Sequence, residues 1–172
     1  MLMPRGMIYC VWKELNVLKD SFPHFVDLYG ELVPSFDHEW EAIAFYFDYR
    51  QTQLEELAHL CHFHNISLDY SEESLYQLES LYFDAFVQQL FAEWNMPIEA
   101  LEAMMSVYIG EIVIRHHPDA DWVVRPYMDS PHQYTLGLRR NNKTWHSTMF
   151  CEHLYLKKQT SHPYVSMYQS LM

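Results

Sequence analysis

Metal-binding chemistry in this chain would have to come from its histidines, which are densest between residues 59 and 64. The chain has 11 histidines in 172 residues, and the cluster reads His-Leu-Cys-His-Phe-His. Imidazole and thiolate groups are the usual protein ligands of zinc. On a regular helix His59 and His62 share a face, whereas Cys61 and His64 lie on a face rotated away from them. One ion therefore cannot bind all four side chains.

A zinc site would need further ligands from distant parts of the chain. Cys151 and His153 are the candidates, so a zinc-binding enzyme or sensor would use His59, His62, Cys151 and His153. A structural explanation competes with this one. Histidines near the carboxy-terminus of a helix interact favourably with its dipole, and a buried cysteine acts as a small hydrophobic residue.

Other catalytic motifs are incomplete. His38-Glu39 begins like a zinc-protease motif, but Ala42 stands where the second histidine is required. Glu56 and His59 form one Glu-x-x-His pair, and a di-iron bundle needs two. Only four glycines are present, too few for a phosphate-binding loop, and no Gly-x-Ser-x-Gly occurs. We therefore expect no cofactor and favour a protein that is not an enzyme.

Charge is unevenly distributed along the chain. The formal net charge is −12; residues 1–100 hold 17 acids and 4 bases, whereas residues 101–172 hold 6 acids and 7 bases. Such a field repels nucleic acids and anionic membrane surfaces, and it favours encounter with a basic protein partner. The competing explanation is that excess acid only keeps an aromatic-rich protein soluble.

The strongest helical pattern runs from about residue 37 to residue 62 and supplies most of the candidate partner-binding residues. Glu39, Glu41, Asp48 and Glu55 lie off its apolar stripe, and Glu111 follows in a later helix. Steps of three, four and seven residues predict that the stripe itself faces the core. Its members are Trp40, Ile43, Ala44, Phe47, Leu54, Leu57, Ala58 and Cys61.

The remaining pattern predicts helices first and strands later. Helices are expected over residues 7–20, from a Ser71 cap towards Trp94, after Pro97, and after Pro163. Strands are expected over residues 121–125, 134–139 and 144–150, with a turn at Asn141-Asn142. This order predicts one α+β domain over residues 1–172: an amino-terminal helical layer of about four helices packed on a small antiparallel sheet in the last third.

Gly110 and Glu111 form the most distinctive short string, within Tyr-Ile-Gly-Glu at residues 108–111. Glycine inside a helix costs roughly 1 kcal/mol relative to alanine, so we expect a neighbouring element to approach closely there. Glu111 is placed to bind a partner group or to pair with Arg115 at i,i+4.

The stretch Leu68–Leu75, the string at residues 108–111 and Trp122 together resemble a pattern in small uncharacterised bacterial proteins. Some of those are similar to immunity proteins of polymorphic toxin systems. The resemblance covers roughly residues 66–125 of this chain. It implies a partner-binding role and no enzyme activity.

Localisation and assembly are predicted from composition. Three widely spaced cysteines (Cys10, Cys61 and Cys151) do not form a disulfide framework, and no apolar run approaches the ~20 residues of a membrane span. We therefore expect a cytoplasmic protein, which could form a homodimer. A small-molecule pocket lined by Trp122, Tyr108 and Tyr134 is a third possibility.

Overall fold

The computed structural model describes residues 33–127, 132–147, 150–151, 153–157 and 162–172. The predicted helix over residues 7–20 lies outside these ranges. The described elements, in chain order, are α1 (Glu39–Phe63), α2 (Glu72–Gln88), α3 (Leu90–Glu93), α4 (Ile98–His116), β1 (Asp121–Pro126), β2 (Tyr134–Arg140), β3 (Lys143–His146), a 3-10 helix (Leu154–Lys157) and α5 (Pro163–Leu171).

The helix starts follow local chemistry. The Ser71 hydroxyl accepts a hydrogen bond from the Ser74 amide, which confirms the predicted cap of α2. The prediction that this helix continues to Trp94 is wrong, because Gln89 adopts φ 59° and ends α2. Pro97 is the N-cap of α4, which begins directly after it as expected.

The sheet is antiparallel in the order β1-β2-β3, as the turn signals predict. Asn141 and Asn142 have φ values of 50° and 61°, the left-handed conformations that a tight two-residue hairpin requires. The third strand is shorter than predicted and ends at His146. Trp122 in β1 pairs with Leu138 in β2, so both side chains lie on one face of the sheet.

The helices cover that face. Trp122 packs against α4 at Gly110, where an added Cβ would lie 2.1 Å from the ring, and this confirms the predicted close approach. The core draws residues from α1, α2, α4, the sheet and α5, so the α+β class is confirmed. Its largest fully buried side chains include Tyr82, Tyr108, Tyr164, Leu57, Leu75, Leu78 and Leu101.

The face that α1 turns to the core differs from the predicted one. Leu57 and Cys61 are buried as expected, but Trp40, Ile43 and Phe47 are exposed. Two apolar sectors coexist on this helix, and the one that packs inward is anchored by a hydrogen bond from the Tyr46 hydroxyl to the Tyr134 carbonyl. The buried residues of α1 are Ala42, Tyr46, Gln53, Leu57 and Cys61.

Side chains from other elements hold both ends of α5. At its start, Glu79 of α2 accepts hydrogen bonds from the Tyr164 amide (2.6 Å) and the Val165 amide (3.2 Å) through the same oxygen. At its end, the Arg140 guanidinium donates to the Leu171 carbonyl at 2.8 Å. These contacts satisfy backbone groups that a helix leaves free at its termini.

We expect Glu79→Ala to lower the free energy of unfolding by about 2 kcal/mol, because two amides of α5 lose their acceptor in a buried site. Glu79→Gln keeps an acceptor oxygen and is expected to cost less than half as much. Urea denaturation of both variants checks the difference. Equal losses in the two variants would contradict the capping role.

Candidate partner-binding face

Nearly all the acidic side chains of residues 33–100 lie at the surface. Residues 33–100, all of which the structure describes, contain 13 acids and a single base, Arg50. Glu79 alone among these acids is buried. Of the predicted partner-binding residues, Glu39, Asp48 and Glu55 are exposed and Glu41 is half-buried. Residues 33–100 therefore present a predominantly negative surface.

An apolar stripe lies among these acids on α1. We define it as Trp40, Ile43 and Phe47, whose exposed fractions are 65%, 41% and 41%. Their spacing of three and four residues places them along one line of the helix surface. By the same helical geometry, Asp48 and Glu55 flank the line on one side. The candidate face therefore combines apolar contact area with negative charge.

Glu111 lies beneath this face rather than on it. Its carboxylate is buried and accepts hydrogen bonds from Trp122 Nε1 at 2.8 Å and Arg50 Nη1 at 3.0 Å, both at Oε1. The predicted pair with Arg115 is wrong: that guanidinium lies over the Tyr70 ring at 3.6 Å. Glu111 thus joins α1, α4 and β1, and it neutralises the one cation of α1.

The Arg50 and Glu111 pair should contribute measurably to stability. We expect Glu111→Ala to lower the free energy of unfolding by about 2 kcal/mol, because the partly buried Arg50 guanidinium and the Trp122 ring nitrogen lose their acceptor. Glu111→Gln retains an oxygen for Trp122 and is expected to cost about 1 kcal/mol. Thermal and urea unfolding check both values; a Gln variant as damaged as the Ala variant would contradict this account.

The candidate zinc ligands lie in different surroundings. His59 and His62 are exposed on α1, whereas Cys151 is buried and its amide donates to the Ser106 hydroxyl. His153 is half-buried, and its amide donates to Glu102. Within the described ranges, no three His, Cys, Asp or Glu side chains come close enough together to hold a metal ion.

Cys61 and Cys151, the two cysteines within the described residues, are poor nucleophiles. Burial raises the pKa of the Cys61 and Cys151 thiols to about 12, because the thiolate would lose its hydration. Both are therefore protonated at neutral pH, and the thiolate is the reactive form. The three aromatic residues suggested for a ligand pocket, Trp122, Tyr108 and Tyr134, all belong to the core.

A buried carboxylate that no sequence motif marks joins three parts of the chain. Glu102 of α4 accepts from the Tyr82 hydroxyl at 2.6 Å, the Leu154 amide at 3.0 Å and the His153 amide at 3.2 Å. Burial raises its pKa to about 7, although these hydrogen bonds favour the carboxylate and lower it. Glu102 thus fixes the start of the 3-10 helix. The hint of this role in the sequence is that Glu102 directly follows Leu101, which is buried in the core.

No helix in the described part of the chain is long and apolar enough to cross a bilayer.

Comparison with known proteins gives one family. A family model described as "Uncharacterised protein YwmA" matches residues 35–172. A protein of Bacillus subtilis (strain 168), "Uncharacterized protein YwmA", is 54% identical over 144 residues, which cover 84% of this chain and 92% of the relative. No solved structure matches the chain. The match confirms the resemblance to small bacterial proteins, and this chain belongs to the YwmA family.

Proposed function

We propose that this protein is a non-enzymatic binding protein whose acidic helical surface recognises a basic protein partner. The observation that carries the proposal is the face of α1, where the apolar stripe is exposed beside Asp48 and Glu55. Negative potential speeds encounter with a cationic partner and disfavours anionic ones. Apolar contact area supplies the part of the affinity that salt does not screen.

The resemblance to immunity proteins supplies the sharpest version of the proposal. In that version the partner is a basic toxin domain, and this protein neutralises it by covering its surface. Steric blocking of that kind needs charge complementarity and contact area and no catalytic group in the blocking protein.

The test is capture from a native lysate at low salt with two variants of equal net charge. One neutralises four acids at the face (Glu39→Gln, Glu41→Gln, Asp48→Asn and Glu55→Gln). The matched control neutralises four exposed acids elsewhere (Glu56→Gln, Glu73→Gln, Asp84→Asn and Glu93→Gln). We expect the unaltered protein and the control to retain a basic partner that the face variant binds at least tenfold more weakly.

Salt supplies a second measurement. Raising NaCl from about 50 mM to about 500 mM should weaken the captured complex severalfold, since screening shortens the range of exposed charges. Capture of no basic protein by the unaltered chain, or equal capture by both variants, would overturn the proposal.

A further inference from the structure

We infer that the apolar stripe of α1 is the docking site for a cationic amphipathic helix of the partner. The inference rests on the proposed function and specifies its contact surface. It starts from the exposure of Trp40, Ile43 and Phe47, which lie at positions i, i+3 and i+7 of one helix. This spacing is the pattern with which helices contact one another through apolar side chains.

The stripe is not a fragment of the core. The neighbouring side of α1 already packs inward through Ala42, Tyr46 and Leu57, each less than a tenth exposed. Trp40 is 65% exposed although a tryptophan ring has a large apolar area, and contiguous exposed apolar area of this kind marks interaction sites. The stripe therefore has the exposed apolar area that is typical of a protein–protein interface.

Small side chains beside the stripe permit a close approach. Ala44 and Ala58 are exposed on the same side of α1, and Gln51 lies between them. From Trp40 to Phe47 the helix advances about 10 Å, and the flanking acids Asp48 and Glu55 extend roughly another two turns along the helix. A partner helix of four to five turns would meet apolar side chains first and carboxylates next.

The charge of α1 determines which kind of partner helix can bind to the stripe. α1 contains five acids and one base, and that base, Arg50, is bonded to Glu111 while its guanidinium lies 5.1 Å from the centre of the Phe47 ring. Pairing α1 with α1 of a second copy would set carboxylates against carboxylates, which costs binding energy. A helix with an apolar face bordered by lysine or arginine complements both features.

The experiment uses two synthetic 18-residue peptides of the same leucine and lysine content. In one the leucines recur at helical spacing; in the other the order is scrambled so that no apolar face forms. Isothermal titration calorimetry with the full chain measures both. We expect the ordered peptide to bind at least tenfold more tightly than the scrambled one, because only it presents apolar and cationic sides together.

Variants locate the site. Trp40→Ala with Phe47→Ala should weaken the ordered peptide at least tenfold, and circular dichroism confirms that the fold is retained. Phe86→Ala with Val87→Ala is the matched control, since both residues are exposed apolar side chains on α2. The control should bind the ordered peptide as the unaltered chain does.

Several results would overturn the inference: equal binding of the two peptides, binding of neither, or equal binding by the stripe variant and the unaltered chain. Self-association that the stripe substitutions abolish, seen by sedimentation velocity, would assign the stripe to a second copy and also overturn it. The proposed function fails separately. Suppose that a lysate partner no longer binds the variant with neutralised acids but still binds the stripe variant. That result would support the proposed function and contradict the inference that a partner helix docks on the stripe.

Discussion

Gly110→Ala is expected to lower the free energy of unfolding by at least about 3 kcal/mol, the upper range for forcing extra volume into a packed core. Helix propensity alone predicts the opposite, a gain of about 1 kcal/mol for alanine. The steric effect outweighs the gain in helix propensity, because the new Cβ would lie 2.1 Å and 2.3 Å from two atoms of the Trp122 ring. That ring is held by its hydrogen bond to Glu111, so it cannot simply turn away.

Urea denaturation measures the loss, and a double-mutant cycle identifies its cause. Trp122→Leu removes the ring that the new methyl group would strike. The double variant Gly110→Ala with Trp122→Leu should therefore be more stable than the sum of the single losses predicts, by about 1 kcal/mol or more. Additive losses would show that Gly110 is required for some reason other than contact with Trp122.

The second large effect concerns Glu102 and pH. Its folded-state pKa of about 7 lies above the usual 4.5, because burial disfavours the charged form. A group whose pKa is raised by folding stabilises the fold fully at low pH. That stabilisation begins to decline as pH rises past 4.5 and is lost as pH passes through about 7.

We therefore expect Glu102→Gln to change the pH dependence of stability. Between pH 5 and pH 8, ionisation of Glu102 should lower the free energy of unfolding of the unaltered protein by on the order of 2 to 3 kcal/mol. The glutamine variant should not show this decrease. Urea denaturation of both proteins at the two pH values measures it. Glu99→Gln, at a half-buried acid of the same helix, is the control and should keep most of the dependence. A variant that parallels the unaltered protein across this range would contradict the assignment.

Local chemistry made the secondary structure predictable. The Ser71 cap, the paired asparagines at residues 141–142 and Pro163 each act within a few residues, so the elements they bound appear nearly where expected. Gly110 was also informative, because an unfavourable helix residue implies a compensating contact.

Contacts between distant residues were harder to anticipate. On α1, periodicity finds two apolar sectors, and the choice between them depends on contacts such as Tyr46 with Tyr134, 88 residues apart. Periodicity alone therefore predicts that the exposed stripe lies in the core. The sequence marks Glu111 as a partner-binding residue or a pair for Arg115, but its carboxylate is buried against Arg50, 61 residues away.

The roles of the buried acids could not be predicted from the sequence. Glu79 and Glu102 sit on apolar sides of their helices, an arrangement that predicts a buried acceptor but not its donors. The donors include the Tyr82 hydroxyl and backbone amides of residues 153–154 and 164–165, and only the folded chain brings them near. Such contacts depend on tertiary structure, and no local pattern encodes them.

The two-ended attachment of α5 has a consequence for the order of folding. A helix of nine residues is too short to persist in water by itself. Because Glu79 and Arg140 come from α2 and β2, α5 gains its anchors only after those two elements have met. Its amide protons should accordingly exchange with solvent only when the whole molecule unfolds. The exchange rate of α5 would then report how cooperatively the protein unfolds.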